Sequence, residues 1–201
     1  MEEEINHRQY VIDNFERALE EGWITVYYQP IVRASNGRVC DEEALSRWID
    51  PDKGVITPNN FIPILEAAHL TYKLDLYVLG KVLSKIKKMM DAGLYSVPQS
   101  INLSRYDFLS CDIVEEIRRR VDEAGVSREI ITIEITESVI GSDFEFMKKQ
   151  VERFHELGFN VWMDDFGSDY SSLDFLQRIP FDLIKLDMRF MQQFYESEKT
   201  K

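Results

Sequence analysis

Acids, one amide and one lysine recur in this chain inside strand-like segments that would otherwise be aliphatic. In Ile131-Thr132-Ile133-Glu134-Ile135-Thr136 the isoleucines alternate with polar residues. Period-2 geometry therefore sends Thr132, Glu134 and Thr136 to one face. The same alternation sets Asn102 against Ile101 and Leu103, Asp164 against Val161 and Met163, and Lys185 against Ile184 and Leu186. Earlier in the chain Glu43, Leu45 and Arg47 share a face, with Ala44, Ser46 and Trp48 on the other. Carboxylates gathered in one mouth repel one another unless cations offset them. The oxygen donors Glu43, Asn102, Glu134, Asp164 and Asp165 suit Mg²⁺, Mn²⁺ or Ca²⁺ better than zinc. His7, His69 and His155 are scattered over helical segments and read as ordinary helix residues.

Such a mouth needs a scaffold, and the hydrophobic pattern supplies one. Val11, Ile12, Phe15, Ala18 and Leu19 recur at helical spacing, with Gly22 as a stop. Strand-like runs follow at Thr25–Val32 and at about Arg38–Trp48, joined by the turn Ser35-Asn36-Gly37, and Pro51–Gly54 reads as a loop. Thr57-Pro58 starts a helix, and a longer amphipathic helix covers about Tyr72–Ala92. Thereafter strands near Ser100–Leu103, Ile130–Thr136, Asn160–Asp164 and Leu183–Leu186 alternate with helices near Ile113–Ala124, Phe144–Leu157 and Ser172–Gln177. Strand–helix alternation predicts βαβ units and a parallel sheet. A half-solvated antiparallel sheet would explain the polar alternation of any single strand. Its repetition between helices favours a barrel whose polar inner face lines a site at the strand C-termini.

The bulk composition is that of an ordinary globular domain, with 44% hydrophobic and 30% charged residues in 201. A formal net charge of −12 argues against a nucleic-acid backbone as partner. It leaves room for a phosphate-bearing substrate if metal cations sit between the negative charges. Two cysteines without paired spacing, Cys40 and Cys111, argue against a disulfide framework or zinc knuckle. An acidic N-terminus and the lack of a spanning apolar run point to a cytoplasmic domain, with a membrane anchor in the parent protein left open.

Taken together, Glu43-Ala44-Leu45, Asn102-Leu103-Ser104, Glu134-Ile135-Thr136-Glu137, Asp164-Asp165-Phe166-Gly167 and Lys185-Leu186-Asp187 resemble the EAL domain family in order and spacing, as does Tyr28-Gln29-Pro30-Ile31. The resemblance implies a TIM-like (β/α)₈ barrel that hydrolyses cyclic di-GMP to linear pGpG with Mg²⁺ or Mn²⁺. It implies that Glu43, Asn102, Glu134 and Asp164 hold a first metal, and that Asp164 bridges to a second held also by Asp165. Lys185 would help position the attacking water, and Gln29 and Arg47 would contact the substrate. Glu137 would hold the loop after Asp165, which the family also uses in dimer contacts. On the residues alone, Lys185 could instead pair with Asp187, Glu137 could be a strand-end or helix-capping acid, and Asp165 a cap.

Residues 1–18 read as a helical linker, similar to the segment joining an upstream GGDEF or sensor domain, and 19–201 as the EAL domain. Only about six strands are readable, whereas a closed barrel needs eight. By the resemblance the family continues for two more strand–helix units, carrying a further glutamate and a glutamine. The chain is expected to be a truncated piece, weak or inactive alone, in a homodimeric parent. Ser46 replaces a usual Leu, and Asp169 a usual Gly of the loop after Asp165. Three other functions compete: a cyclic di-GMP receptor without hydrolysis, a protein-interaction module, and an enolase-like barrel.

Overall fold

The computed structural model describes residues 2–167, 173–189 and 191–192. The loop carrying Ser168, Asp169 and the residues to Ser172 lies outside them, and so does the reading of Asp169.

A long helix, α1 (Glu2–Glu20), opens the chain and is followed by a hairpin of β1 (Ile24–Val32) and β2 (Val39–Asp50). The α1 side chains that repeat every three to four residues, Val11, Phe15 and Ala18, are fully buried. Phe15 packs on Trp48 of β2, which in turn meets Phe61, at ring-centroid separations of 6.4 and 5.8 Å. Each such buried side chain contributes about 1.5–3 kcal/mol from lost hydration. The Tyr10 hydroxyl donates to Asp50 at 2.7 Å, fastening α1 to the far end of β2.

The segment read as a loop closes on Asp50, whose Oδ1 accepts from the backbone N–H groups of Asp52 and Lys53. That turn brings a short strand, β3 (Gly54–Ile56), back against β2. α2 (Pro58–Ala67) and α3 (Thr71–Asp91) follow. The rest of the chain alternates: β4 (Gln99–Leu103), α4 (Arg105–Ser110), α5 (Ile113–Glu123), a short 3₁₀ turn at Arg128–Ile130, β5 (Ile131–Thr136), α6 (Glu137–Ser142), α7 (Phe144–Glu156), β6 (Asn160–Phe166), α8 (Leu173–Arg178) and β7 (Leu183–Leu186). The starts of α5 and α7 are capped by Asp112 and Asp143, each accepting from the N–H three residues on.

The strands form one sheet in the order β1-β2-β4-β5-β6-β7, with β3 pairing only β2. β1 runs antiparallel to β2, and β2, β4, β5, β6 and β7 are mutually parallel. This is the expected α/β architecture, an incomplete barrel whose two edges among the described residues are β1 and β7. The register explains the sorting of side chains. Ala44, Ile101, Ile133 and Val161 point to the helix layer and are at most 4% exposed. Ser46 shares that side and is 9% exposed, which makes it a packing residue.

Candidate functional site

The acids lie where the parallel strands deliver them. Pairing of β4 with β5 sets Asn102 beside Glu134, and pairing of β5 with β6 sets Thr136 beside Asp164. The antiparallel hairpin sets Gln29 beside Glu43 and Thr25 beside Arg47. One carboxylate oxygen each from Glu43, Glu134 and Asp164 fall within 4.8 Å of one another. Asn102 Nδ2 donates to Glu43 Oε1 at 3.0 Å. Lys185 Nζ enters this group, donating to Glu43 Oε2 and Glu134 Oε2 at 2.8 Å and standing 3.4 Å from Asp164 Oδ2.

One ammonium does not balance three carboxylates. Glu134 is fully buried, and lost hydration followed by the neighbouring Glu43 charge pushes its pKa up to about 7 despite Lys185. Burial pulls the Lys185 pKa down, but Glu134 and Glu43 outweigh it and leave the ammonium firmer than an ordinary lysine. Glu134 Oε1 has no hydrogen-bond partner although it is buried. A buried, unpaired carboxylate oxygen beside two further acids and an amide oxygen is a donor set for a hard divalent cation. The residues present therefore fit such an ion.

Other expected site residues stand around this centre. Asp165 adopts a left-handed backbone, φ 55°, and its N–H donates to Asp164 Oδ1 at 2.9 Å. The residue is exposed overall and is not one of the three acids that converge. Lost hydration at its carboxyl, then the charges of Asp164 and Asp187, still push its pKa up. Glu137 begins α6, is 3% exposed, and accepts the Gly167 N–H at 2.9 Å, so it grips the chain just after Asp165. Arg47 sits 5.5 Å above the Tyr27 ring and donates to the Ser46 carbonyl, and Gln29 is exposed. None of the three histidines joins the acids: His7 meets the Asn60 carbonyl, His155 meets Asp182, and His69 stacks edge-on against Tyr106.

Two features were not read from the sequence as parts of the site. Tyr27 shares the inner face with Gln29 and Arg47 and is 55% exposed, a flat apolar surface beside the acids. Beneath the acids lies a second polar tier of Asp41, Ser100 and Thr132, each at most 2% exposed. The alternation that marks Glu43, Asn102 and Glu134 also marks these, two residues earlier on the same strands.

The chain is thus an α/β protein of the incomplete-barrel type whose strand ends converge on an acidic site that a divalent cation fits. The family model described as "EAL domain" matches residues 12–201, and the chain belongs to that family. It is 30% identical over 187 residues to "Cyclic di-GMP phosphodiesterase NbdA" of Pseudomonas aeruginosa, covering 93% of this chain and 24% of that protein. It is also 30% identical over 183 residues to the "Bifunctional diguanylate cyclase/cyclic di-GMP phosphodiesterase MucR" of the same organism, covering 91% and 27%. The chain thus spans about a quarter of the length of these curated relatives. A solved structure titled "PaMucR Phosphodiesterase, c-di-GMP complex" superposes with a TM-score of 0.86 at 29% identity, covering 95% of this chain and 77% of that one. The Xanthomonas citri FimX EAL domain superposes at 0.84 with 18% identity, which speaks for the fold alone. No helix among the described residues is long and apolar enough to cross a membrane.

Proposed function

We propose that this chain is the catalytic face of a metal-dependent phosphodiesterase that opens cyclic di-GMP to linear pGpG. The observation that carries the reading is the convergence of Glu43, Glu134 and Asp164 on one point, with a buried Glu134 oxygen left unpaired. Glu43, Asn102, Glu134 and Asp164 would hold one Mg²⁺ or Mn²⁺, and Asp164 with Asp165 a second. Bound ions would acidify a water and neutralise charge developing on the phosphoryl oxygens.

The chain's own residues do the rest. Lys185 holds three carboxylates in register by donating to two and approaching the third, and it offers an ammonium N–H to orient the attacking water. Arg47 presents a planar fork suited to a phosphate oxygen pair, and Gln29 a neutral amide beside it. Tyr27 offers its exposed ring to a guanine base. Glu137, through the Gly167 N–H, holds the turn that sets Asp165. Residues 1–18 would serve as a helical linker to an upstream GGDEF or sensor domain in a homodimeric, cytoplasmic assembly.

The test is turnover of cyclic di-GMP with Mn²⁺ by the full-length protein and by the 201-residue chain. Linear product that depends on Glu134 supports the reading. Tight binding of the cyclic dinucleotide without any linear product from the full-length protein would make it a receptor instead.

A further inference from the structure

A second concavity lies at the opposite end of the strands, around the turn that joins β1 to β2. It encloses about 310 Å³ between Arg33, Asn36, Arg38, Cys40, Tyr95 and the Val97–Pro98 segment that leads into β4. Barrel enzymes place their chemistry at the strand C-termini, so the end where parallel strands begin normally serves stability. Its charge is unexpected. The sequence holds 36 acidic residues against 24 basic ones, yet among the described residues no acid lines this cavity. Several arginines elsewhere pair with carboxylates, Arg118, Arg119, Arg128 and Arg153 among them. Among the described residues neither Arg33 nor Arg38 has such a partner.

The backbone holds the two arginines together. Arg33 N–H donates to the Arg38 carbonyl at 2.9 Å, and the Arg33 carbonyl accepts from Asn36 and Gly37. Gly37 closes the turn at φ 67°, and Asn36 Oδ1 accepts the Arg38 N–H, which leaves the Asn36 amide N–H₂ to donate. Two guanidinium forks on a tied turn match the oxygens of a phosphate group. Tyr95, 81% exposed, stands at the rim as a ring with nothing stacked on it among the described residues. Val39, Val97 and Pro98 line the same cavity with apolar surface.

We infer that this concavity binds a nucleotide, its phosphate held by Arg33 and Arg38 and its base laid against Tyr95. The volume falls at the lower end of small-ligand pockets, about 300–1,000 Å³, and suits a mononucleotide. Binding here would be separate from the acidic mouth and would need no metal.

The experiment titrates the 201-residue chain by calorimetry with GMP, inorganic phosphate and guanosine, in EDTA. GMP should bind more tightly than phosphate, and guanosine should fail to bind. The double substitution Arg33→Ala/Arg38→Ala should weaken GMP at least about tenfold, the loss of charge-assisted bonds, with the thermal midpoint and cyclic di-GMP turnover unchanged. Tyr95→Ala should erase the advantage of GMP over phosphate. Equal GMP affinity in the double variant would place the nucleotide in the mouth and overturn the proposal. So would equal affinity for GMP and bare phosphate in the unsubstituted chain, or binding of neither.

Discussion

Two tiers of the same inner wall carry acids in different states. In the upper tier Glu134 touches Lys185 directly, yet burial and Glu43 still push its pKa up to about 7. In the lower tier burial pushes Asp41 up to about 6, against the Ser100 and Thr132 hydroxyls, the Glu42 backbone N–H and the more distant Lys185 charge, all of which favour its ionised form. The Ser100 and Thr132 hydroxyls temper that rise without closing a hydrogen bond onto Asp41 Oδ1. The lysine is therefore a poor neutraliser of its own tier, because three carboxylates share it. The upper tier is built short of positive charge, which is what a cation site requires. The lower tier holds one acid that can stay neutral, and it needs no ion.

The largest expected effect breaks the upper tier. Glu134→Gln should lower turnover by at least about a hundredfold and weaken Mn²⁺ binding comparably, since even supporting partners of a metal site are worth about 10–100-fold. Steady-state assays and calorimetry read both. Because Glu134 must lose its proton to ligate, Mn²⁺ affinity of the unsubstituted chain should rise with pH up to about 7 and then level off. A flat affinity between pH 5 and 8 would refute the assignment.

Next comes Lys185→Met, which removes from the three carboxylates the one cation that meets them among the described residues. It should cost about 3 kcal/mol in the metal-free protein, the scale for breaking a buried pair. Saturating Mn²⁺ should recover much of that loss in a thermal melt. Equal losses with and without metal would show that the lysine and the ion do not share a role.

The lower tier responds to pH. The Asp41 folded-state pKa is raised from 3.8 to about 6, so the folded state binds more protons than the unfolded one across that window. Stability should fall as pH rises from about 4 to 6, and the whole penalty is present above pH 6. Asp41→Asn should remove this slope and stabilise the protein at pH 7 by about 3 kcal/mol, read from urea midpoints at both ends of the window. The smallest effect is that of Glu137→Ala. It strips the Gly167 N–H of its acceptor and should cost about 1–2 kcal/mol, with a drop in turnover larger than that stability loss would explain.

Much of this was legible in advance. Alternation within each strand located Glu43, Asn102, Glu134, Asp164 and Lys185, and strand–helix alternation predicted the parallel sheet. Two six-residue helices, α4 and α6, went unread, each starting within two residues of the end of the strand before it. Ser104 and Asp107 form the capping box that starts α4. β3 is a strand only because the Asp50 turn presents three residues to β2. Lys185 illustrates the limit best. Asp187, two residues on, was an available partner, but Asp187 pairs with Arg189 while Lys185 reaches Glu43, 142 positions away.

By itself the sequence determined which side chains share a face, because a strand's period is a local property of its backbone. It also settled the family, since ordered motifs survive without coordinates. Only the tertiary structure decided that three acids meet within 4.8 Å, that Glu134 keeps an unpaired oxygen, and that Asp41 and Glu134 titrate near neutrality. Those quantities follow from distance through space and from lost hydration, and neither depends on separation along the chain.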